Sequence, residues 1–322
     1  MPTEPQTLPY PEHDKLGPLG SRHTVLHDPS ELRTRLLADF RGAVDAAKQA
    51  AVDVDQGSPA AVHDSRKALR RARAVLAMVE DALPKSERRA VRNALQEARR
   101  SLSTVRDHTV APETLGALVL DDADRDTAKR VLDSAAEAIP PVAEIKQLLA
   151  EAAARAAAQA EALQAALAKE VNFDVMLDGI AETYGDARRA RRLSKSSRPW
   201  FHTWRRRSKE LVYQLDFVAS HAGARTLAIR AEFDSLTGLL SPAVDLVMLR
   251  DFVQTHGTGL GSEAIERLRD SLDNRLDDLM KSGRKAARES FEQKPKKFAR
   301  RLAKAVKRDL RPIDSNGHDT DA

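Results

Sequence analysis

His63-Asp64-Ser65-Arg66-Lys67-Ala68-Leu69-Arg70, set beside His202-Thr203-Trp204-Arg205-Arg206-Arg207-Ser208-Lys209, decides how this chain is read. In both stretches a histidine is followed by bases three, four and seven residues on. Some forty residues later each copy carries Leu-Ser-x-x-x-Asp: Leu102, Ser103 and Asp107, then Leu240, Ser241 and Asp245, with His-to-Asp separations of 44 and 43 residues. Two patterns matched in order at one offset indicate an internal duplication, hence two related halves, each a helical bundle.

At about 100° per residue, His63, Arg66, Lys67 and Arg70 share one stripe of a helix, with Leu69, Ala72, Leu76 and Val79 opposed. In the second copy His202, Arg205, Arg206, Lys209 and Tyr213 share a stripe, opposed by Trp204, Leu211, Leu215 and Val218. Like charges at such spacings repel by a few tenths of a kcal/mol per pair, roughly, so a stripe without interleaved acid calls for an anion. The plainer reading is a solvated helix face. Similar stripes run through Arg88, Arg92 and Arg99, through Arg188, Arg191, Arg192 and Lys195, and through Arg300, Lys304, Lys307 and Arg311. If the halves pack about a pseudo-twofold axis, the two His-led stripes face each other across a groove.

The surrounding sequence is helical throughout. Ala, Leu, Arg, Glu and Lys dominate, and β-branched runs are absent. Helices are expected over about 29–54, 60–83, 86–105, shorter segments to 138, the Ala-rich 144–169, then 173–195, 199–221, 224–240, 242–254, 262–282 and 295–309. Asp28-Pro29-Ser30-Glu31 starts the first, and Pro84, Pro140-Pro141 and Pro242 mark breaks. The fold class expected is all-α, two pseudo-symmetric four-helix bundles around a basic central groove or channel. The division expected is a disordered leader over 1–28, a first half over 29–170, a second half over 171–311 and a disordered tail over 312–322.

The chain has 322 residues, 53 Lys plus Arg against 48 Asp plus Glu, and no Cys. Zero Cys excludes a thiol nucleophile, a disulfide framework and Cys-ligated metal. Neither a secretory signal nor an 18-residue apolar run is present, so a cytoplasmic protein with no membrane association is expected. Charge is segregated: residues 281–312 hold thirteen Lys or Arg against three acids, and 184–209 hold ten against Asp186 alone. Such local fields suit a polyanionic partner.

His63-x-x-Arg66-Lys67-x-x-Arg70-Arg71-x-Arg73 with Leu102-Ser103-x-x-Arg106-Asp107 resembles the first half of a CHAD domain, the histidine-containing α-helical domain. His202-x-x-Arg205-x-x-x-Lys209-x-x-x-Tyr213 with Leu240-Ser241-x-x-x-Asp245-Leu246 resembles the second half, and Phe291 to Phe298 the basic C-terminal part. The resemblance covers roughly residues 28–311. It implies two four-helix bundles around a basic channel that binds inorganic polyphosphate, and a binding module rather than an enzyme; recruitment to polyphosphate granules is the localisation it suggests. Four positions depart from the family pattern. Ser103 and Ser241 stand where Gly is usual, Lys67 replaces an aliphatic, and Val212 replaces an Arg, which removes one expected phosphate contact.

The polyphosphate-binding residues expected are thus His63, Arg66, Lys67, Arg70, Arg71, Arg73, Arg88, Arg92, His202, Arg205, Arg206, Lys209, Tyr213, Arg300, Lys304 and Lys307, with no catalytic residue, metal, cofactor or obligate protein partner. Arg offers bidentate forks to phosphate and Lys a mobile charge. Asp107 and Asp245 are expected to cap helices or hold basic side chains, with pairing to the two histidines as the structural alternative, and Trp204 to pack in the core. Two other functions compete. A single-stranded nucleic-acid binder would use the same stripes, although 4% aromatic residues gives few stacking platforms. An HD-type metal-dependent phosphohydrolase is suggested by His63-Asp64, but the repeat has Thr203 in place of Asp64, and Arg66, Lys67 and Arg70 would repel a metal ion.

Overall fold

The computed structural model describes residues 25–118, 120–136 and 138–311. Among these every regular element is helical. The expected tail, and the leader up to residue 24, lie outside them. Val25 and Leu26, read as the end of the leader, are instead buried in the core.

Asp28 starts α1 (Pro29–Val52) as the sequence implies: its Oδ1 accepts from the backbone N–H groups of Ser30 and Glu31 at 2.9 and 3.0 Å, and Pro29 occupies the first turn. α2 (Ser58–Met78) follows, ending five residues before the expected boundary at 83. Next come α3 (Lys85–Ser101), α4 (Ser103–Gly116), α5 (Asp122–Ala136) and the Ala-rich α6 (Val142–Ala166). The second half comprises α7 (Phe173–Leu193), α8 (Arg198–His221), α9 (Ala224–His256), α10 (Ser262–Ala286) and α11 (Pro295–Asp309).

Two boundaries differ from the sequence reading for identifiable reasons. The helix expected over 86–105 breaks at Leu102, because the Arg99 carbonyl accepts from the Arg66 guanidinium at 2.9 Å, outside the helix's own ladder. Conversely, Pro242 does not end a helix; α9 runs through it. Proline withdraws one N–H from the ladder, but Leu240, Ala243 and Val244 are buried around it. α10 also approaches closely there: a Cβ on Gly283 would sit 2.7 Å from the Leu240 side chain. Packing on both sides outweighs the one lost hydrogen bond.

α1 packs on α2 and α6, and α3 packs on α2 and α6, closing a ring of four neighbours. α7, α8, α9 and α11 repeat that pattern, α7 and α9 each touching both α8 and α11. The halves join where α2 meets α7 and α8, and where α4 and α5 meet α9 and α10. One continuous apolar cluster runs from Leu26 to Leu310.

Candidate functional site

The basic stripes of α2 and α8 converge because their opposite faces are fixed in the shared core. Buried Gln214 of α8 donates to the Ala74 carbonyl of α2 at 3.3 Å and to Thr183 Oγ1 of α7 at 3.1 Å. Gly179 of α7 lies against the end of α2, where a Cβ would meet the Met78 carbonyl oxygen at 2.6 Å. Held this way, Arg66, Arg70 and Arg73 of α2 line a cavity of about 90 Å3 together with His202, Arg205, Arg206, Lys209 and Tyr213 of α8. Arg99 of α3, Arg106 of α4, Glu210 and Val244 complete the wall.

The duplicated motifs close on themselves in the same way. Arg66 donates to Ser103 Oγ at 3.2 Å, and Arg205 donates to Ser241 Oγ at 2.9 Å. Ser241 in turn donates to the Thr237 carbonyl at 2.9 Å. The two serines that stand where the family usually has glycine are therefore acceptors that orient the motif arginines. Asp107 and Asp245 do hold a basic side chain, but one shared by both halves: Arg106 reaches Asp107 at 3.1 Å and Asp245 at 3.0 Å. The alternative pairing of these acids with His63 or His202 is not what the structure contains.

Electrostatically the wall is strained. Arg66 is only 9% exposed, and burial, with Arg99, Arg106 and Arg70 close by, pushes its pKa down to about 9. Arg99 is pushed down to about 10 by burial and by Arg73, Arg70 and Arg206. Arg205 is lowered by burial and Arg70, and Arg206 by burial, Arg207 and Arg73, so cations of one half press on those of the other. His202 is lowered by burial, then by Arg206, Arg205, Arg99 and Arg106. His63, open to solvent on one side, is lowered by crowding and by Arg70. The buried Nε–H groups of Arg70, Arg73, Arg99 and Arg205 have no acceptor in the protein. Unpaired buried donors are costly, and these four are gathered in one wall.

The sequence-derived set divides on this geometry. Arg66, Arg70, Arg73, His202, Arg205, Arg206, Lys209 and Tyr213 line the cavity, although Lys209 also pairs with Asp234 at 3.1 Å. Lys67 and His63 sit on the same stripe beside it, Lys67 lowered by burial and by Lys209, Arg70 and Arg71 against the pull of Asp64. Arg71 is turned to α1: burial lowers its pKa, but the charge and hydrogen bonds of Asp39 more than reverse this. Arg88 and Arg92 are paired with Asp81 at 2.9 Å and Glu80 at 3.7 Å. Arg300, Lys304 and Lys307 are exposed on α11, which packs on α7 and α9, and they are not part of the cavity wall.

Arg99 and Arg106 also line the cavity, although the sequence reading does not place them there. Both signals were present, Arg99 in the α3 stripe and Arg106 inside Leu102-Ser103-x-x-Arg106-Asp107, but neither shows from sequence which way it points. Trp204 is fully buried against Phe201 and Phe291, as its place on the apolar face implies. Tyr213 is the aromatic side chain of the cavity wall, with Lys209 Nζ 5.7 Å from its ring centroid.

Among the described residues no three His, Cys, Asp or Glu side chains gather as a metal-binding group, and no helix is long and apolar enough to cross a membrane. Residues 38–254 match the family model of the CHAD domain. The fold is similar to that in the crystal structure of the CHAD domain from the plant Ricinus communis. The TM-score is 0.56 at 19% identity, with 82% of this chain and 92% of that one covered. A comparison with curated proteins found no match.

Proposed function

The chain belongs to the CHAD-domain family, which is associated with polyphosphate and triphosphate binding, and on that premise we propose that it binds inorganic polyphosphate without catalysis in the groove between α2 and α8. The observation that carries the reading is the set of four arginine Nε–H donors, buried in one wall and lacking acceptors. A polymer with one charge per unit and no sequence is matched by an array of guanidinium forks rather than by a base-reading code. Arg70, Arg73 and Arg206 are the residues that grip it, because no carboxylate pairs with them among the described residues. Arg66 and Arg205 add charge while holding Ser103 and Ser241. With Tyr213 as the wall's aromatic, successive nucleobases have little to stack on. His63-Asp64 stands among cations, a poor setting for a metal-activated water. The same reading places the protein in the cytoplasm on polyphosphate granules.

The test is competition at physiological salt between long-chain polyphosphate and single-stranded RNA for the full chain. Polyphosphate should displace RNA, and the triple variant Arg70→Gln, Arg73→Gln, Arg206→Gln should lose polyphosphate binding while keeping its helicity. RNA displacing polyphosphate would replace this reading by nucleic-acid binding.

A further inference from the structure

A second group of cations lies apart from the groove, where the C-terminal ends of α7 and α10 meet. Arg191, Arg192, Lys195, Arg284 and Arg288 line a concavity of about 380 Å3 with no acid in its wall. Phe201 lies on the α10 side, near the position a Cβ on Gly283 would take, whereas His202 lines the groove.

The cations are braced on backbone rather than neutralised. Arg191 donates to the Arg284 carbonyl at 2.8 Å, and Arg284 donates to the Ser194 carbonyl at 3.3 Å, so each helix end holds the other's arginine. The side chains of Arg192, Lys195 and Arg288 have neither a hydrogen bond nor an ion pair among the described residues. The Nε–H of Arg191 is buried without an acceptor. Burial lowers the Arg191 pKa, and Arg188, Arg288 and Arg284 lower it further. Cations do favour helix C-termini, but two helix ends offer only about half a negative charge each. Five positive charges lining one hollow exceed that by roughly four.

We propose that this hollow is a second anion site, which takes the phosphoryl groups of a short phosphate chain independently of the groove. Guanidinium forks on two facing walls suit bidentate contact to non-bridging phosphate oxygens, and Lys195 supplies a mobile charge at the rim.

Calorimetric titration of the full chain with tripolyphosphate tests it. The wild type should bind two equivalents. R192Q/K195Q/R288Q, whose residues brace nothing, should bind one, and R70Q/R206Q should keep the equivalent that the first variant loses. Both equivalents surviving in R192Q/K195Q/R288Q would overturn the proposal, as would a single wild-type equivalent lost in R70Q/R206Q. Repeating the titration with long-chain polyphosphate identifies the source of the phosphate. An affinity loss of about 10²-fold in R192Q/K195Q/R288Q, as when a second tethered contact is removed, means that one polymer spans both sites. Unchanged affinity assigns the hollow to a separate short anion. Either result keeps the site.

Discussion

His63 and His202 carry their surroundings in their titration. Both keep a solvent-exposed face, yet partial desolvation and neighbouring arginines push each below the ordinary imidazole value of 6.5, so each is neutral at neutral pH in the free protein. The unfolded chain then takes up protons first on acidification. Their effect on stability is therefore absent well above 6.5 and becomes a loss as pH falls through the unfolded value. A bound polyanion reverses the local field and raises both pKa values, so binding takes up protons. Polyphosphate affinity should accordingly tighten from pH 8 to pH 6 while the free protein loses thermal stability. Titrations of His63→Asn/His202→Asn at the two pH values check this: the double variant should show a flatter affinity profile, and an unaltered one would mean that other groups carry the proton.

Arg66 and Arg205 make a related point about variants. Each donates to a serine of its own half, so their replacement mixes lost charge with lost structure, whereas Arg70, Arg73 and Arg206 separate the two effects.

Between elements, close approach does what side-chain chemistry cannot. Gly179 brings α7 against backbone carbonyls at the end of α2, and those carbonyls cannot swing aside as a flexible side chain would. Gly179→Ala should destabilise the protein by about 1–3 kcal/mol through overpacking, despite alanine's better helix propensity, and the shift of the urea midpoint measures it. Arg106 ties Asp107 of α4 to Asp245 of α9. Because all three side chains keep some solvent contact, Arg106→Met should cost only about 1 kcal/mol, with a larger loss in polyphosphate affinity. An unchanged affinity would show that Arg106 serves the junction alone. The α3–α4 break at Leu102 and the unbroken α9 show the limit of local rules: proline and propensity suggest boundaries, and an arginine from another helix or a packed glycine settles them.

For the molecule as a whole, the dominant feature is repulsion across a groove between two halves that share one core. Without ligand, monovalent salt should raise the melting temperature by screening that repulsion. Polyphosphate at about 100 times its Kd should stabilise by roughly 2.7 kcal/mol. Affinity should fall steeply with salt, with a log–log slope near −4 if about six phosphates are neutralised, taking about −0.7 per contact by analogy with single-stranded nucleic acid. Differential scanning calorimetry and titrations across a salt series read all three. A salt-insensitive affinity would argue against ionic contact with the polymer.

What the sequence determined by itself is whatever depends on period and repetition: an all-helical chain, a duplicated His-x-x-Arg element, and stripes whose apolar backs must be buried. Those properties are local, since 3.6 residues per turn assigns a face to every side chain. Only the tertiary structure decided which cations stay unpaired. Arg71 meets Asp39, 32 residues away, and Arg106 meets Asp245, 139 residues away, while Arg300, Lys304 and Lys307 stand on a helix that packs away from the groove. A stripe of charge looks the same in sequence whether an acid, solvent or another stripe lies opposite, because that choice is made by how helices distant in the chain bury their apolar faces against one another.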